Sequence, residues 1–179
     1  MLDTKKLLQK YYSENGEAYH ILLTHSISVT QKALDIARRN PQENFDLQFV
    51  EEAAMLHDIG IFLTDAPRIF CFGKYPYICH NYLGGEILLK EGLPKHALVC
   101  ERHTGTGISL AQIEQENLPL PQRNMMPISK EEQLICYADK FFSKTKLEKE
   151  LSVIEIQKSL SKFGSEAVRR FDMWNEAWG

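Results

Sequence analysis

The chain is short of paired cysteines. Cys71, Cys79, Cys100 and Cys136 form no CxxC pair, which argues against a cysteine zinc site and leaves reduced, packed thiols as the expectation. No apolar run is long enough to span a bilayer, and Met1-Leu2-Asp3-Thr4-Lys5-Lys6 leads into an amphipathic stretch without a signal-peptide apolar core. The expected compartment is the cytoplasm, with no membrane partner. Neither sign of charge dominates: the formal net charge is -3, so nothing draws the whole chain to a nucleic-acid polymer or an anionic membrane. A phosphorylated substrate would need a local field, which bound metal supplies. Internal repeats, low-complexity linkers and strands of period 2 are missing too.

What remains is helical. With 179 residues, 44% hydrophobic and 25% charged, the chain fits one soluble domain with a real core. Asp3 caps a first helix carrying Leu7, Leu8, Tyr11 and Tyr12, which the Glu14-Asn15-Gly16 turn ends. A long helix follows from about Glu17 to Arg39, with Leu22, His25, Val29, Ala33 and Ile36 on one face. Asp46 caps the next helix, which presents Ala53 and His57 inward and stops at Gly60. Residues 61–78 lack a helical period and form the longest irregular stretch. Helix resumes from about Tyr77 to Glu91. Pro94 opens a short helix that reaches His103. Ser109 with Gln112, and Ser129 with Glu132, read as capping boxes; the second helix carries Ile135 and Asp139. Two more helices split at Gly164 finish the chain. The expectation is an all-α bundle of about eight or nine helices, one domain over 1–179, with a motif-bearing core at 17–147 and helices at 152–179 packed on it.

Within this pattern His25, His57, Asp58, His80, His103 and Asp139 are all placed to point inward. A single histidine on an apolar stripe is ordinarily a core residue satisfied by a hydrogen bond. Repetition changes the balance, because Ala53 to His57, Val99 to His103 and Ile135 to Asp139 are each an i, i+4 step on an apolar face. Helix bundles build metal sites in this way. His57 and Asp58 diverge by about 100° on a helix, yet both reach one ion, and Asp58 then has a second oxygen for another. His20 reads as core or as support for the site, and His96 as surface. Thr104-Gly105-Thr106-Gly107 is either a helix cap or a turn whose N–H groups approach a phosphate.

His25-Ser26-x-x-Val29, Leu56-His57-Asp58-Ile59-Gly60, His80 with Gly84-Gly85, Glu101-Arg102-His103-Thr104-Gly105 and Ala138-Asp139-Lys140 together resemble the HD-domain metal-dependent phosphohydrolases. The resemblance implies a helical fold and a phosphate-ester or anhydride substrate. It puts one metal on His25, His57, Asp58 and Asp139, and a second on Asp58, His80 and His103. Similar motifs occur in nucleotidases, dinucleoside polyphosphate hydrolases and cyclic-dinucleotide phosphodiesterases, and in a few di-iron oxygenases. The cyclic-dinucleotide subgroup is disfavoured, because Gly73-Lys74-Tyr75-Pro76 departs from its Gly-Tyr-Pro motif. No acid after the HD pair can be assigned as general acid or base; Asp65 is the nearest.

The mechanism implied is attack by a bridging hydroxide activated between metals about 3.5–4 Å apart, with Asp58 as the bridge. Four imidazoles with two carboxylates suit one or two ions of Fe, Mn, Co, Ni or Zn over Mg²⁺ or Ca²⁺. Arg68, Lys74, Arg102 and Lys140 are candidates for a phosphate clamp, each also readable as a solvated charge. Phe70, Phe72, Tyr75 and Tyr77 either stack on a base or pack the loop down. The partner expected is a small phosphorylated compound, such as a nucleotide. The alternatives are a di-iron oxygenase on the same ligands and a non-catalytic sensor of a phosphoryl ligand.

Overall fold

The computed structural model describes residues 2–179, which contain nine α-helices. These are α1 (Thr4–Gln9), α2 (Glu17–Arg39), α3 (Leu47–Leu56), α4 (His80–Lys90), α5 (Pro94–Arg102), α6 (Leu110–Gln115), α7 (Lys130–Asp139), α8 (Val153–Leu160) and α9 (Ser165–Trp178). The long α2 follows its 3.6-residue period: Leu22, Val29, Ala33 and Ile36 are buried on one face. That face runs through two apolar clusters. One joins α2 to α3, α7, α8 and α9 through Val29, Ile36, Ala54, Leu134, Tyr137, Phe171 and Trp178. The other joins the start of α2 to α1, α4 and α5 through Leu8, Leu22, Leu56, Leu88 and Cys100. His25 lies on α2 between Leu22 and Val29, where the two clusters meet.

Several local expectations need correction. Two short antiparallel ribbons accompany the helices: β1 (Asp65–Ala66) with β2 (Cys71–Phe72), and β3 (Phe142–Ser143) with β4 (Lys146–Glu150). Three of the four strands have two residues each, and Lys146–Glu150 carries one apolar side chain, Leu147, so no alternation shows in the sequence. The first lies within 61–78, and that stretch is tied together by bonds such as Asp65 N–H to the Tyr75 carbonyl at 2.8 Å. The helix before the HD pair ends at Leu56, with His57 as its C-cap and a 3-10 turn at Ile59–Leu63. Gly60 is therefore no helix stop. A Cβ there would lie 2.3 Å from the His80 carbonyl oxygen and 2.5 Å from Gly84 N, so the glycine lets α4 touch this turn.

The caps at Ser109 and Ser129 are half of what the spacing suggests. Each hydroxyl accepts from the backbone at N3, at 3.1 Å. The Glu132 carboxylate, however, accepts from Arg102 and from the Ile128 N–H instead of reaching back to the cap. The full capping box is Ser152 with Glu155. All four cysteines are buried and unpaired, as expected.

Candidate metal centre

Five chain segments bring the six candidate ligands together. His25 comes from the middle of α2. His57 caps α3, and Asp58 follows it. His80 opens α4, His103 caps α5, and Asp139 is the last residue of α7. All six are buried, and the four histidine side chains are nearly inaccessible.

The atoms sort into two groups. In the first, His25 Nε2 lies 3.1 Å from Asp58 Oδ2 and 3.0 Å from Asp139 Oδ1. His57 Nε2 lies 3.0 Å and 3.4 Å from the same two oxygens, and 3.3 Å from His25 Nε2. In the second, His80 Nε2 and His103 Nε2 are each 3.3 Å from Asp58 Oδ1 and 3.1 Å from each other. Asp58 thus gives one oxygen to each group.

The donor chemistry tests whether a cation fits. Nδ1 of His57, His80 and His103 lies 2.6 Å from the carbonyls of Ala54, Tyr77 and Cys100 respectively. A carbonyl only accepts, so each Nδ1 carries the proton it donates. Burial pushes His80 down to about 3, and lowers His103 against the pull of Asp58, so both are neutral near pH 7. Their Nε2 lone pairs and Asp58 Oδ1, which accepts no hydrogen bond, then face one another with no proton between them. Three buried acceptors in contact are costly alone and satisfied by one cation. A transition metal fits this set.

In the first group positive charge is already present. Burial alone would lower His57, but Asp58 and Asp139 raise it to about 9. Burial alone would raise both carboxyls, yet Lys144 and His57 hold Asp58 well below the usual carboxylate range, and Lys140 does the same for Asp139. Lys144 Nζ is 2.6 Å from Asp58 Oδ2, and Lys140 Nζ is 2.8 Å from Asp139 Oδ2.

A cleft of about 620 Å³ adjoins the first group, and of the six candidate ligands Asp139 lines it. Asp139, Lys140 and Lys144 line its base, with Asp65, Arg68 and Tyr77 around it and apolar walls from Ile69, Phe142 and Leu151. Tyr77 stacks on His80 with ring centres 4.6 Å apart. Burial pushes its hydroxyl up to about 12, with Lys144 acting the other way.

Of the four basic residues expected to grip phosphate, two line this cleft. Arg68 is exposed on its rim, and Lys140 is turned back onto Asp139 and the His103 carbonyl. Lys74 lies away from it, over the Tyr75 ring. Arg102 is about 100° around α5 from His103 and pairs with Glu132 at 2.9 Å. Of the four aromatic candidates only Tyr77 lines the cleft. His20 is exposed, not core. His96 is largely enclosed beside Glu52 at 3.4 Å and Phe49, not free on the surface. The Thr104–Gly107 turn is structural: Thr106 donates to the Ala167 carbonyl, and a Cβ on Gly107 would lie 2.5 Å from Pro127 Cδ.

The sequence reading missed Lys144. It sits in the β3–β4 turn among Lys140, Lys146 and Lys149, and no spacing signal separates it from a solvated run.

A pH dependence follows from these shifts. His57 is raised from 6.5 to about 9, so its contribution to metal-free stability is complete below pH 6.5 and is lost as pH rises through about 9. His80 is lowered from 6.5 to about 3, so stability falls as pH drops below 6.5 towards 3. Urea titrations of metal-free protein should show both losses. A metal held by His57 would have to displace its proton. Calorimetry at pH 7.5 in buffers of different ionisation heat should show release of roughly one proton per chain. Zero release would mean that His57 does not ligate.

Comparison with known proteins agrees with this geometry. The model of the HD domain matches residues 22–143. A protein of Methanocaldococcus jannaschii described as uncharacterized is 31% identical over 160 residues, covering 88% of this chain and 80% of the relative. The tRNA (cytidine(56)-2'-O)-methyltransferase of Thermoplasma volcanium is 31% identical over 154 residues, which are 86% of this chain and 40% of the relative. The protein of the same name from Picrophilus torridus is 30% identical over 142 residues, 79% of this chain and 36% of the relative. The chain thus spans well under half of either methyltransferase. No solved structure matches. HD domains bind divalent metals, and the match supports a hydrolase-type function that depends on them. The matched span covers well over half of the sequence and includes all six buried ligand candidates, and the chain belongs to the HD-domain family.

Proposed function

We propose that the chain is a phosphohydrolase acting on a small phosphorylated compound, such as a nucleotide. His25, His57, Asp58 and Asp139 would hold one metal, and Asp58, His80 and His103 a second. The observation that supports this most is the division of Asp58, with Oδ2 in one donor group and Oδ1 in the other. When bound, a divalent pair supplies Lewis acidity towards phosphoryl oxygens and acidifies a water towards neutrality. Asp58 would join the two ions through its two oxygens. The three carbonyl-anchored imidazoles keep their Nε2 atoms inward without reorganisation.

The lining of the cleft supports this substrate class. Arg68, exposed at the rim, favours an anionic group, and Ile69, Phe142 and Leu151 favour an apolar body beside it. Its volume suits a small molecule better than a polymer. The reading takes 1–179 as one functional unit, because Phe171, Trp174 and Trp178 of α9 share a core cluster with α2, α3 and α7.

Metal analysis and a panel of phosphomonoesters, diesters and pyrophosphates test this. A tRNA belongs on the panel, since two relatives bear tRNA-methyltransferase names. Roughly two transition-metal ions per chain are expected, with His80→Ala and His103→Ala each losing about one. Wild-type metal content in both variants would remove the second site. No turnover of any phosphate compound, together with iron-dependent oxygen uptake, would replace hydrolysis by oxygenation.

A further inference from the structure

Two lysines stand over the donor groups, and they use their partners differently. Lys140 binds Asp139 through Oδ2, while the oxygen of Asp139 that faces His25 and His57 is Oδ1. Lys140 therefore leaves the inward oxygen open. Lys144 binds Asp58 through Oδ2, at 2.6 Å, and Oδ2 is the same oxygen that faces His25 and His57. An ammonium and a metal ion would compete for that oxygen, because two cations at contact distance repel in a buried setting.

We infer that Lys144 is a displaceable placeholder, which holds Asp58 while the ion is absent and turns into the cleft to meet the anionic group of the substrate once the ion is present. The inference rests on the metal centre proposed above.

Three features favour movement of this residue. It lies in the Lys144–Thr145 turn of the β3–β4 ribbon, next to the register shift between Phe142 and Ser143, and not within a helix. Its side chain already lines the cleft, so a rotation about its four-carbon stem suffices. Arg68 stands on the rim of the same cleft, which gives the released ammonium a second cation to act with. Together with bound ions the two would leave the cleft strongly positive until an oxyanion enters. A phosphoryl dianion is the ligand class that such a cluster takes.

The test uses Lys144→Met, which keeps the stem and removes the charge. Zn²⁺ or Mn²⁺ affinity is measured against a competing chelator, and inorganic phosphate binding is measured on the metal-loaded protein. Without its competitor the variant should bind metal roughly tenfold or more tightly, and phosphate roughly tenfold more weakly. Metal-free Lys144→Met should melt below the wild type, and metal should close that gap. Lys140→Met should not tighten metal binding, since its oxygen is not contested. Unchanged or weaker metal affinity in Lys144→Met, with wild-type protein that binds metal, would overturn the placeholder alone. A wild type that binds no metal would overturn the metal centre and the placeholder together.

Discussion

Asp58→Ala is expected to lose both ions after dialysis, and turnover of any substrate found should fall by more than roughly the hundredfold that marks removal of an outer-shell partner. The reason is geometric. No other carboxylate among the described residues joins the two donor groups, and each Asp58 oxygen lies within 3.3 Å of two imidazole nitrogens. Stability should fall far less than activity. Lys144 can turn from the empty position into the cleft, and His57 can release its proton, so no charge is stranded in the core. Metal content by mass spectrometry and a thermal melt of the metal-free variant check both halves. Retention of one ion would show that the groups are independent, and unfolding of the variant would make Asp58 a structural residue.

Gly60→Ala is expected to destabilise the fold by about 3 kcal/mol or more, at the upper end for overpacking, since the clash is with backbone. The added Cβ would lie 2.3 Å from the His80 carbonyl oxygen and 2.8 Å from Gly84 Cα. Relief requires α4 to move away, and α4 carries His80 at its first residue. The ion shared by His80 and His103 should therefore weaken before the one held by His25. Urea melts and ion counts report the two effects. A variant with wild-type stability and two ions would show that the turn yields easily.

The helices were legible because their signals are periodic and local. The α2 stripe, the Pro94 start and the Gly164 break all depend on residues within a few positions of one another. The six candidate ligands could be picked out for the same reason, since each sits on an apolar face or at a helix end. What could not be read was set by contacts between distant segments. The close approach at Gly60 depends on α4, twenty residues on. Glu132 fails to close its capping box because Arg102 and Ile128 claim its carboxylate. Arg102 itself is adjacent to a candidate ligand in sequence but faces another helix. Lys144 and the short β3–β4 ribbon are the extreme case, where neither period nor motif marks the residue nearest to Asp58 Oδ2.

The ends of α3, α5 and α7 carry His57, His103 and Asp139 into one place, and all three are C-terminal ends. A helix C-terminus bears about half a negative charge. Three of the four helix ends at this place therefore lend it a negative sign, against the N-terminal end of α4 at His80, and the two carboxylates deepen it. Such a place draws cations. The Lys140 and Lys144 ammoniums and the proton on His57 answer that field from within the chain, and a bound cation would take over their part.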